Sequence, residues 1–160
     1  AKCVGDGLDI RFLVCSSKSN QNQLRDLCSD LGIEQQSFIE GPYAHNEIVH
    51  FYDLMDIFVV SRPNSNVTRI VPPIKPLEAM IREKATVVSH LPALCEIIEP
   101  RVTGMTVPAE NIDSLSTAIS ELASDSELRM ELGRAARRYV LKERTWPKIV
   151  HNYQEIYQRY

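Results

Sequence analysis

Short apolar runs alternate along the chain with longer segments in which apolar residues recur every three or four positions. The short runs predict strands, and the periodic segments predict amphipathic helices. The predicted strands cover residues 8–14, 37–40, 56–60, 85–89 and 104–107. The predicted helices cover residues 20–31, 46–54, 76–83, 93–97, 111–123, 126–142 and 145–159. This order predicts an α/β fold, a Rossmann-like, doubly wound parallel sheet followed by C-terminal helices, with ligands beyond the carboxyl ends of its strands.

Particular residues sharpen this prediction. Ile57-Phe58-Val59-Val60 is continuously apolar, which favours a fully buried central strand. Gly32 is placed to end the first long helix. Trp146 is expected to be substantially buried and to anchor the last helix. Three residues stand where side-chain caps begin the C-terminal helices: Asn111, Ser126 and Thr145.

Residues 62–74 fit neither a helical nor a strand pattern and are predicted to form a long loop. Long loops in compact domains are usually functional or disordered. Arg62 and Arg69 lie in this loop and could contact diphosphate or sugar oxygens. Exposed loop arginines are also commonly just solvated, so the loop alone leaves both interpretations open.

The helix after this loop begins with Lys75-Pro76-Leu77-Glu78. Pro76 suits the first helical position, which would make Lys75 the cap residue, and lysine offers no oxygen to the amides of Leu77 and Glu78. Free amides beside an ammonium group favour a phosphate or diphosphate, and a carboxylate at Glu78 matches the paired hydroxyls of a ribose. The alternative is that water satisfies the amides and Glu78 only complements the helix dipole.

Composition and charge narrow the function. The chain has 160 residues, 44% of them hydrophobic and 24% charged, with a formal net charge of -3. These values are typical of one soluble domain and leave no basic excess for sequence-independent binding of nucleic acid. The apolar runs are far shorter than the roughly 20 residues of a membrane-spanning helix.

The metal-binding residue types are scattered. The cysteines form no CxxC pair and are expected to be small buried thiols, which favours a reducing, cytoplasmic location. The histidines do not group at ligand spacing, so no metal site is predicted. These residues are Cys3, Cys15, Cys28 and Cys95, and His45, His50, His90 and His151.

Several separated motifs occur together in one order. They are the strand at 56–60, Lys75-Pro76-Leu77-Glu78-Ala79-Met80, the strand at 85–89, Glu96-Ile97-Ile98, Thr103-Gly104-Met105 and Trp146. Phe38-Ile39-Glu40-Gly41, followed by Tyr43, precedes them. In this order the chain resembles the C-terminal, nucleotide-sugar-binding domain of the group 1 retaining glycosyltransferases of the GT-B fold.

The resemblance implies roles for individual residues. Glu78 corresponds to the glutamate that holds the donor ribose, and Pro76 and Leu77 to the diphosphate site. Tyr43 occupies a position that contacts the nucleobase, although a tyrosine beside Pro42 can also simply close a turn. The catalytic cations would be Arg62, Arg69 and Lys75, which stabilise the departing diphosphate without a metal. A second glutamate that the family usually carries eight residues before the ribose ligand is here Ile70.

The resemblance also implies what lies around the chain. Residues 1–160 are expected to be a partial GT-B domain that lacks its usual first strand and helix, with an N-terminal acceptor domain elsewhere in the same protein. The expected donor is a uridine- or guanosine-diphosphate-linked hexose, with no further cofactor. The chain by itself is expected to be inactive, and peripheral membrane association would come through the N-terminal domain.

Two alternatives come from other classes of protein. One is a glycosyltransferase-derived domain that binds nucleotide without transferring a sugar, which the Ile70 position favours. The other is a flavodoxin-like interaction domain. A phosphoacceptor receiver should carry acidic residues at the ends of its early strands, and Cys15-Ser16-Ser17 does not supply them.

Overall fold

A computed structural model describes residues 1–158. At positions 45, 151, 152, 155 and 156 it describes only the backbone. The strands are β1 (Phe12–Cys15), β2 (Ser37–Glu40), β3 (Ile57–Val60), β4 (Ala85–Ser89) and β5 (Met105–Val107). The helices are α1 (Lys2–Gly5), α2 (Lys18–Asp30), α3 (His45–Leu54), α4 (Asn66–Ile70), α5 (Lys75–Ile81), α6 (Pro92–Cys95), α7 (Ile112–Ser124), α8 (Ser126–Glu143) and α9 (Trp146–Tyr157), with a 3₁₀ turn at Glu34–Gln36.

The strands pair in parallel, which confirms the predicted α/β class. Within residues 1–158 they form two sheets rather than one. β1 pairs with β2, with Phe12 opposite Ser37, and β4 lies between β3 and β5 in a second, three-stranded sheet. The predicted single sheet is therefore divided between β1 and β3.

The position of β3 differs from the prediction. Its apolar sequence predicts a fully buried central strand, but β3 lies at the edge of the three-stranded sheet. Val59 is 38% exposed, and Ile57, Phe58 and Val60 are only partly buried. Along β3, only the side that faces β4 is paired, so the apolar pattern of a central strand occurs here at a sheet edge.

The core surrounds β4, whose five residues are all buried. Val88 packs in a cluster with Met80 of α5 and Leu94 of α6. Val87, whose side chain lies on the other face of the strand, packs in a second cluster with Leu122 of α7. α8 contributes to both clusters. This coverage of both faces is the doubly wound arrangement that the sequence predicts.

The C-terminal helices are present, but two details of their prediction were wrong. Asn111 caps α7 as predicted, whereas the side-chain cap of α8 is Asp125, which accepts the Leu128 amide, and not Ser126. Trp146, which was expected to be buried, is 78% exposed at the start of α9. α9 contacts α8, but its first side chain extends into solvent, so Trp146 anchors nothing within the described residues.

Residues 62–74 are more regular than the sequence suggests. The Ser65 hydroxyl accepts the Thr68 amide at 3.3 Å and begins α4 within this segment. The buried-thiol prediction holds only for Cys3, because Cys15 is exposed and Cys28 and Cys95 are partly exposed; all four are free. Within residues 1–158, no helix is long and apolar enough to cross a membrane.

Candidate functional site

The carboxyl ends of β1 and β2 are held together by one backbone hydrogen bond and one from a side chain. The Ser16 amide donates to the Glu40 carbonyl at 2.9 Å, and Gln21 Nε2 donates to the Gly41 carbonyl at 2.7 Å. Gly41 has a φ of +97°, and a side chain there would place its Cβ 3.1 Å from the Ser16 carbonyl oxygen. A glycine is therefore required where the chain turns from β2 toward α3.

Tyr43 follows this turn and lies against α3. Its ring centroid is 4.2 Å from that of Phe51, and its hydroxyl is 3.4 Å from Glu40 Oε2. Tyr43 is half-buried, so part of its side chain remains accessible at the carboxyl edge of β2. Contact with a nucleobase at Tyr43 stays a prediction.

The amides at the start of α5, which the sequence predicted to be free, form hydrogen bonds within the helix. The helix begins at Lys75 with Ile74 as its cap, so Pro76 occupies the second helical position rather than the first. The Ile74 carbonyl accepts the Leu77 amide at 2.9 Å and the Glu78 amide at 3.2 Å. These two amides are therefore used within the helix, and Lys75 contributes the exposed charge at this end.

Glu78 has a partner that the sequence does not indicate. The Tyr52 hydroxyl donates to Glu78 Oε2 at 2.7 Å, joining α3 to α5 across 26 positions of the sequence. Tyr52 is 5% exposed, and its ring centroid is 5.4 Å from that of Phe58. The pKa of the Tyr52 hydroxyl lies well above its usual value. Burial is the larger cause, and the hydrogen bond to Glu78 is the next. In the sequence, Tyr52 is one more aromatic residue of an amphipathic helix, and only its pairing with Glu78 reveals it.

Cys15 connects the end of β1 with this group. Although Cys15 is exposed, protein atoms partly desolvate its thiol and raise its pKa; the Lys75 ammonium opposes that rise, and the Glu40 carboxylate adds to it. Cys15 also acts electrostatically on Tyr52. Lys75 and Glu78 lie in the first turn of α5, and Tyr52 is bonded to Glu78. We call these three residues, together with Cys15 at the end of β1, the α5 site.

The two loop arginines, Arg62 and Arg69, form hydrogen bonds with groups other than Lys75. The Arg62 amide donates to Ser89 Oγ at 2.8 Å, and Arg62 Nη1 donates to the Val71 carbonyl at 2.8 Å. Arg62 thus ties the start of the loop both to β4 and to Val71 near the end of the loop. Arg69 Nη1 lies 3.4 Å from Asn64 Oδ1.

Arg69 instead lines a cavity of about 370 Å³ at the carboxyl ends of β4 and β5. His90 lines the same cavity, with its Nδ1 3.4 Å from Thr106 Oγ1. Glu110 also lines it and accepts the Asn64 amide at 3.3 Å. Ile70, which ends α4, is 76% exposed. Arg69 thus lines this cavity, while Lys75 stands at the start of α5.

Among the side chains that the structure describes, no three His, Cys, Asp or Glu residues gather as metal ligands. The side chains of the histidines at positions 45 and 151 lie outside the part of the chain that the structure describes.

The comparisons with known proteins agree with this fold. The family model of the group 1 glycosyl transferases matches residues 4–139. An uncharacterized glycosyltransferase of Methanocaldococcus jannaschii is 25% identical over 148 residues, which cover 92% of this chain and 37% of that protein. The chain thus spans little more than a third of the length of this relative.

Two solved structures share the fold at low identity. Sucrose-phosphate synthase from Thermosynechococcus elongatus superposes with a TM-score of 0.80 and 18% identity, over 99% of this chain and 40% of that one. A TarM variant from S. aureus was crystallised with fondaparinux, α-GlcNAc-glycerol and UDP. It superposes with a TM-score of 0.84 and 17% identity, over 96% of this chain and 30% of that one. Since the family model covers most of the sequence, the chain belongs to the group 1 glycosyltransferases.

Proposed function

We propose that this chain forms the donor-nucleotide side of a retaining glycosyltransferase that transfers a hexose from a nucleoside diphosphate sugar. The observation that carries the proposal is the carboxylate of Glu78, held by a buried tyrosine hydroxyl in the first turn of α5. Glu78 stands in the first turn of the helix that follows the β3 strand and its loop, and open parallel sheets place their ligands beyond the carboxyl ends of their strands. Group 1 membership supplies the reaction class.

Each part of the donor has a corresponding group. Glu78 accepts the ribose hydroxyls, because a carboxylate has several lone-pair positions and Tyr52 uses one of them. The Lys75 ammonium binds the diphosphate at the start of α5, and Tyr43 contacts the base. Pro76, expected beside the diphosphate, is buried, and the Leu77 amide is bonded to the Ile74 carbonyl, so neither supplies a donor to it. The donor is a uridine or guanosine diphosphate sugar; the TarM structure, which shares this fold, was solved with UDP.

In the proposed reaction, the acceptor hydroxyl attacks the anomeric carbon from the face that the diphosphate leaves. The bond from the anomeric carbon to the acceptor oxygen forms while the bond to the phosphate oxygen breaks, and the leaving phosphate oxygen takes the acceptor proton. Lys75 stabilises the negative charge that develops on the diphosphate. Arg62 and Arg69 add to this stabilisation once their guanidinium groups exchange the Val71 carbonyl and Asn64 Oδ1 for the substrate.

Transfer requires the acceptor to be held against the donor, so we propose that residues 1–160 act as the C-terminal donor-binding domain of a longer protein. The observed strand order is β2-β1 and β3-β4-β5, which fits the Rossmann order 3-2-1-4-5-6 with its first strand between β1 and β3. The apolar edge of β3 suits such a strand. Four free cysteines agree with a reducing, cytoplasmic location, and the acceptor domain is where we place any membrane association.

The proposal is tested by titrating the protein with uridine, guanosine and adenosine diphosphates and their glucose conjugates. Binding of one base class, together with transfer by the full-length protein but not by the 160-residue chain, is the expected result. Binding without transfer in the full-length protein would instead favour a non-catalytic nucleotide-binding domain, for which Ile70 is the motivating residue. Binding of none of these nucleotides would refute the donor site and favour an interaction domain.

A further inference from the structure

Tyr52 stands out among the described residues because its buried hydroxyl reaches the side chain to which we assign the ribose. It lies on the inner face of α3, two residues before that helix ends, and is nearly inaccessible to solvent. Its ring packs beside Phe58 of β3, which restricts the position of its hydroxyl oxygen. The 2.7 Å bond to Glu78 Oε2 is short, as expected for a hydroxyl that donates to a charged carboxylate.

We propose that Tyr52 is a positioning residue for donor recognition: it fixes the Glu78 carboxylate in the one orientation that accepts the ribose hydroxyls. This inference rests on the proposed function. Tyr52 touches no substrate and acts through Glu78. A glutamate side chain has three rotatable bonds, and a half-buried carboxylate without a fixed donor would sample several directions, so binding would have to order it.

The chemistry of the hydroxyl explains why a tyrosine serves here. It reaches Glu78 from a ring anchored between α3 and β3, it carries no charge, and it leaves the other carboxylate oxygen free to accept. Its raised pKa keeps the hydroxyl protonated, and therefore a donor, at neutral pH. A cation in the same place would neutralise Glu78 and weaken its attraction for hydroxyl donors.

Two other roles predict different behaviour. If Tyr52 only ties α3 to α5, its loss lowers stability and affects all ligands alike. If Tyr52 blocks the carboxylate, so that a ribose must displace it, its loss strengthens binding. The positioning role predicts weaker binding that depends on the ribose hydroxyls.

The experiment compares wild type with Tyr52→Phe, which retains the ring and removes only the hydroxyl. Tyr139→Phe is the matched control, because its hydroxyl donates to the Glu96 carbonyl at 3.2 Å on the α8 side of the domain. Each protein is titrated with uridine and guanosine diphosphates and with their 2′,3′-dideoxy counterparts. Crystal structures of the ligand-free variants show the direction of the Glu78 side chain.

We expect Tyr52→Phe to weaken binding of the ribose nucleotide by about fivefold to tenfold, which corresponds to the usual net value of one hydrogen bond, and to leave the dideoxy ligand unchanged. Tyr139→Phe should change neither. Glu78 should lose its single orientation in Tyr52→Phe crystals. An unchanged Glu78 orientation, an equal loss for both ligands, or tighter ribose binding overturns the positioning role while the donor site stands. Failure of wild type to bind any of these nucleotides overturns the donor site and, with it, this inference.

Discussion

Gly133 of α8 lies directly against the backbone of Glu83, the residue that follows α5 and its cap. A Cβ built on Gly133 would lie 2.0 Å from the Glu83 carbonyl oxygen and 2.6 Å from its carbonyl carbon. Glu83 itself has a φ of +59°, so the turn between α5 and β4 is tight at this point. The helix that carries Glu78 ends at this turn. The contact between the turn and Gly133 therefore fixes the position of the end of α5 against α8.

We expect Gly133→Ala to destabilise the protein by about 2 kcal/mol or more. Alanine favours a helix over glycine by about 1 kcal/mol, but overpacking against a backbone carbonyl, which cannot rotate away, typically costs about 1–3 kcal/mol and sometimes more. The free energy of unfolding from urea denaturation measures the change. Gly5→Ala is the control, because a Cβ at Gly5 meets nothing within 4 Å. A Gly133→Ala protein as stable as the Gly5→Ala protein would contradict the observed contact.

Glu78→Gln tests the ribose contact directly. The amide oxygen of glutamine can still accept the Tyr52 hydroxyl, so the fold should persist while the charge is lost. A hydrogen bond to a charged group contributes roughly 1.5–3 kcal/mol, so nucleoside diphosphate affinity should fall about tenfold to a hundredfold. Isothermal titration with ribose and 2′-deoxyribose ligands measures both proteins.

The control for this substitution is Glu127→Gln, in the exposed first turn of α8. Removal of the 2′-hydroxyl should weaken binding to wild type and to Glu127→Gln much more than binding to Glu78→Gln. If all three proteins respond equally to the deoxy ligand, Glu78 is not the ribose ligand. A dipole role alone predicts only a small loss of stability, about 0.3–1 kcal/mol.

Lys75→Gln should weaken binding of UDP about fivefold and leave uridine binding nearly unchanged. Lys75 is exposed, so its attraction for a diphosphate is screened by solvent and contributes on the order of 1 kcal/mol. The wild-type preference for UDP over uridine should fall as salt is raised. Lys84→Gln, whose Nζ donates to the Asp53 carbonyl at the far end of α5, is the matched loss of one positive charge. Equal losses for UDP and uridine would argue against a diphosphate at Lys75.

Cys15 provides a chemical footprint of the α5 site. Partial desolvation raises the pKa of the Cys15 thiol, so at neutral pH a smaller fraction is the reactive thiolate than for an ordinary cysteine. Alkylation by iodoacetamide should therefore be slow near about pH 7 and accelerate toward about pH 10. Bound UDP should slow it further. Peptide mass spectrometry follows the label, with Cys28 on α2 as the internal reference; equal protection of both cysteines would show a general effect of the nucleotide rather than cover at Cys15.

Local chemistry allowed several elements to be predicted closely. The strands at 37–40 and 85–89 have the predicted bounds, because each apolar run is limited by residues that favour turns or helices. Asn111 caps α7 because a short side chain with an oxygen meets the third amide of the helix within a few residues. Family membership also follows from motifs that are continuous in the sequence, above all Lys75-Pro76-Leu77-Glu78-Ala79-Met80.

Errors arose where distant segments decide the outcome. Trp146 and β3 were expected to be buried because large apolar side chains usually are, but burial depends on which surfaces are present to cover them. Arg62 and Arg69 looked alike in the sequence, yet one is bound to the Val71 carbonyl and the other lines the cavity with His90. α5 begins one residue earlier than predicted, so the Leu77 and Glu78 amides, which were expected to be free, bond to the Ile74 carbonyl.

By itself, the sequence determined the α/β class, the parallel order of strands and helices, the family and the candidate ribose ligand, Glu78. Hydrophobic period, caps and short motifs act over a few residues, and these properties need nothing more. Only the tertiary structure decided that the strands form two sheets, that Arg69 lines a cavity with His90 while Lys75 begins α5, and that Tyr52 holds Glu78. Those relationships join side chains from separate helices and strands, and a hydrogen bond of 2.7 Å between α3 and α5 depends on how the whole chain packs.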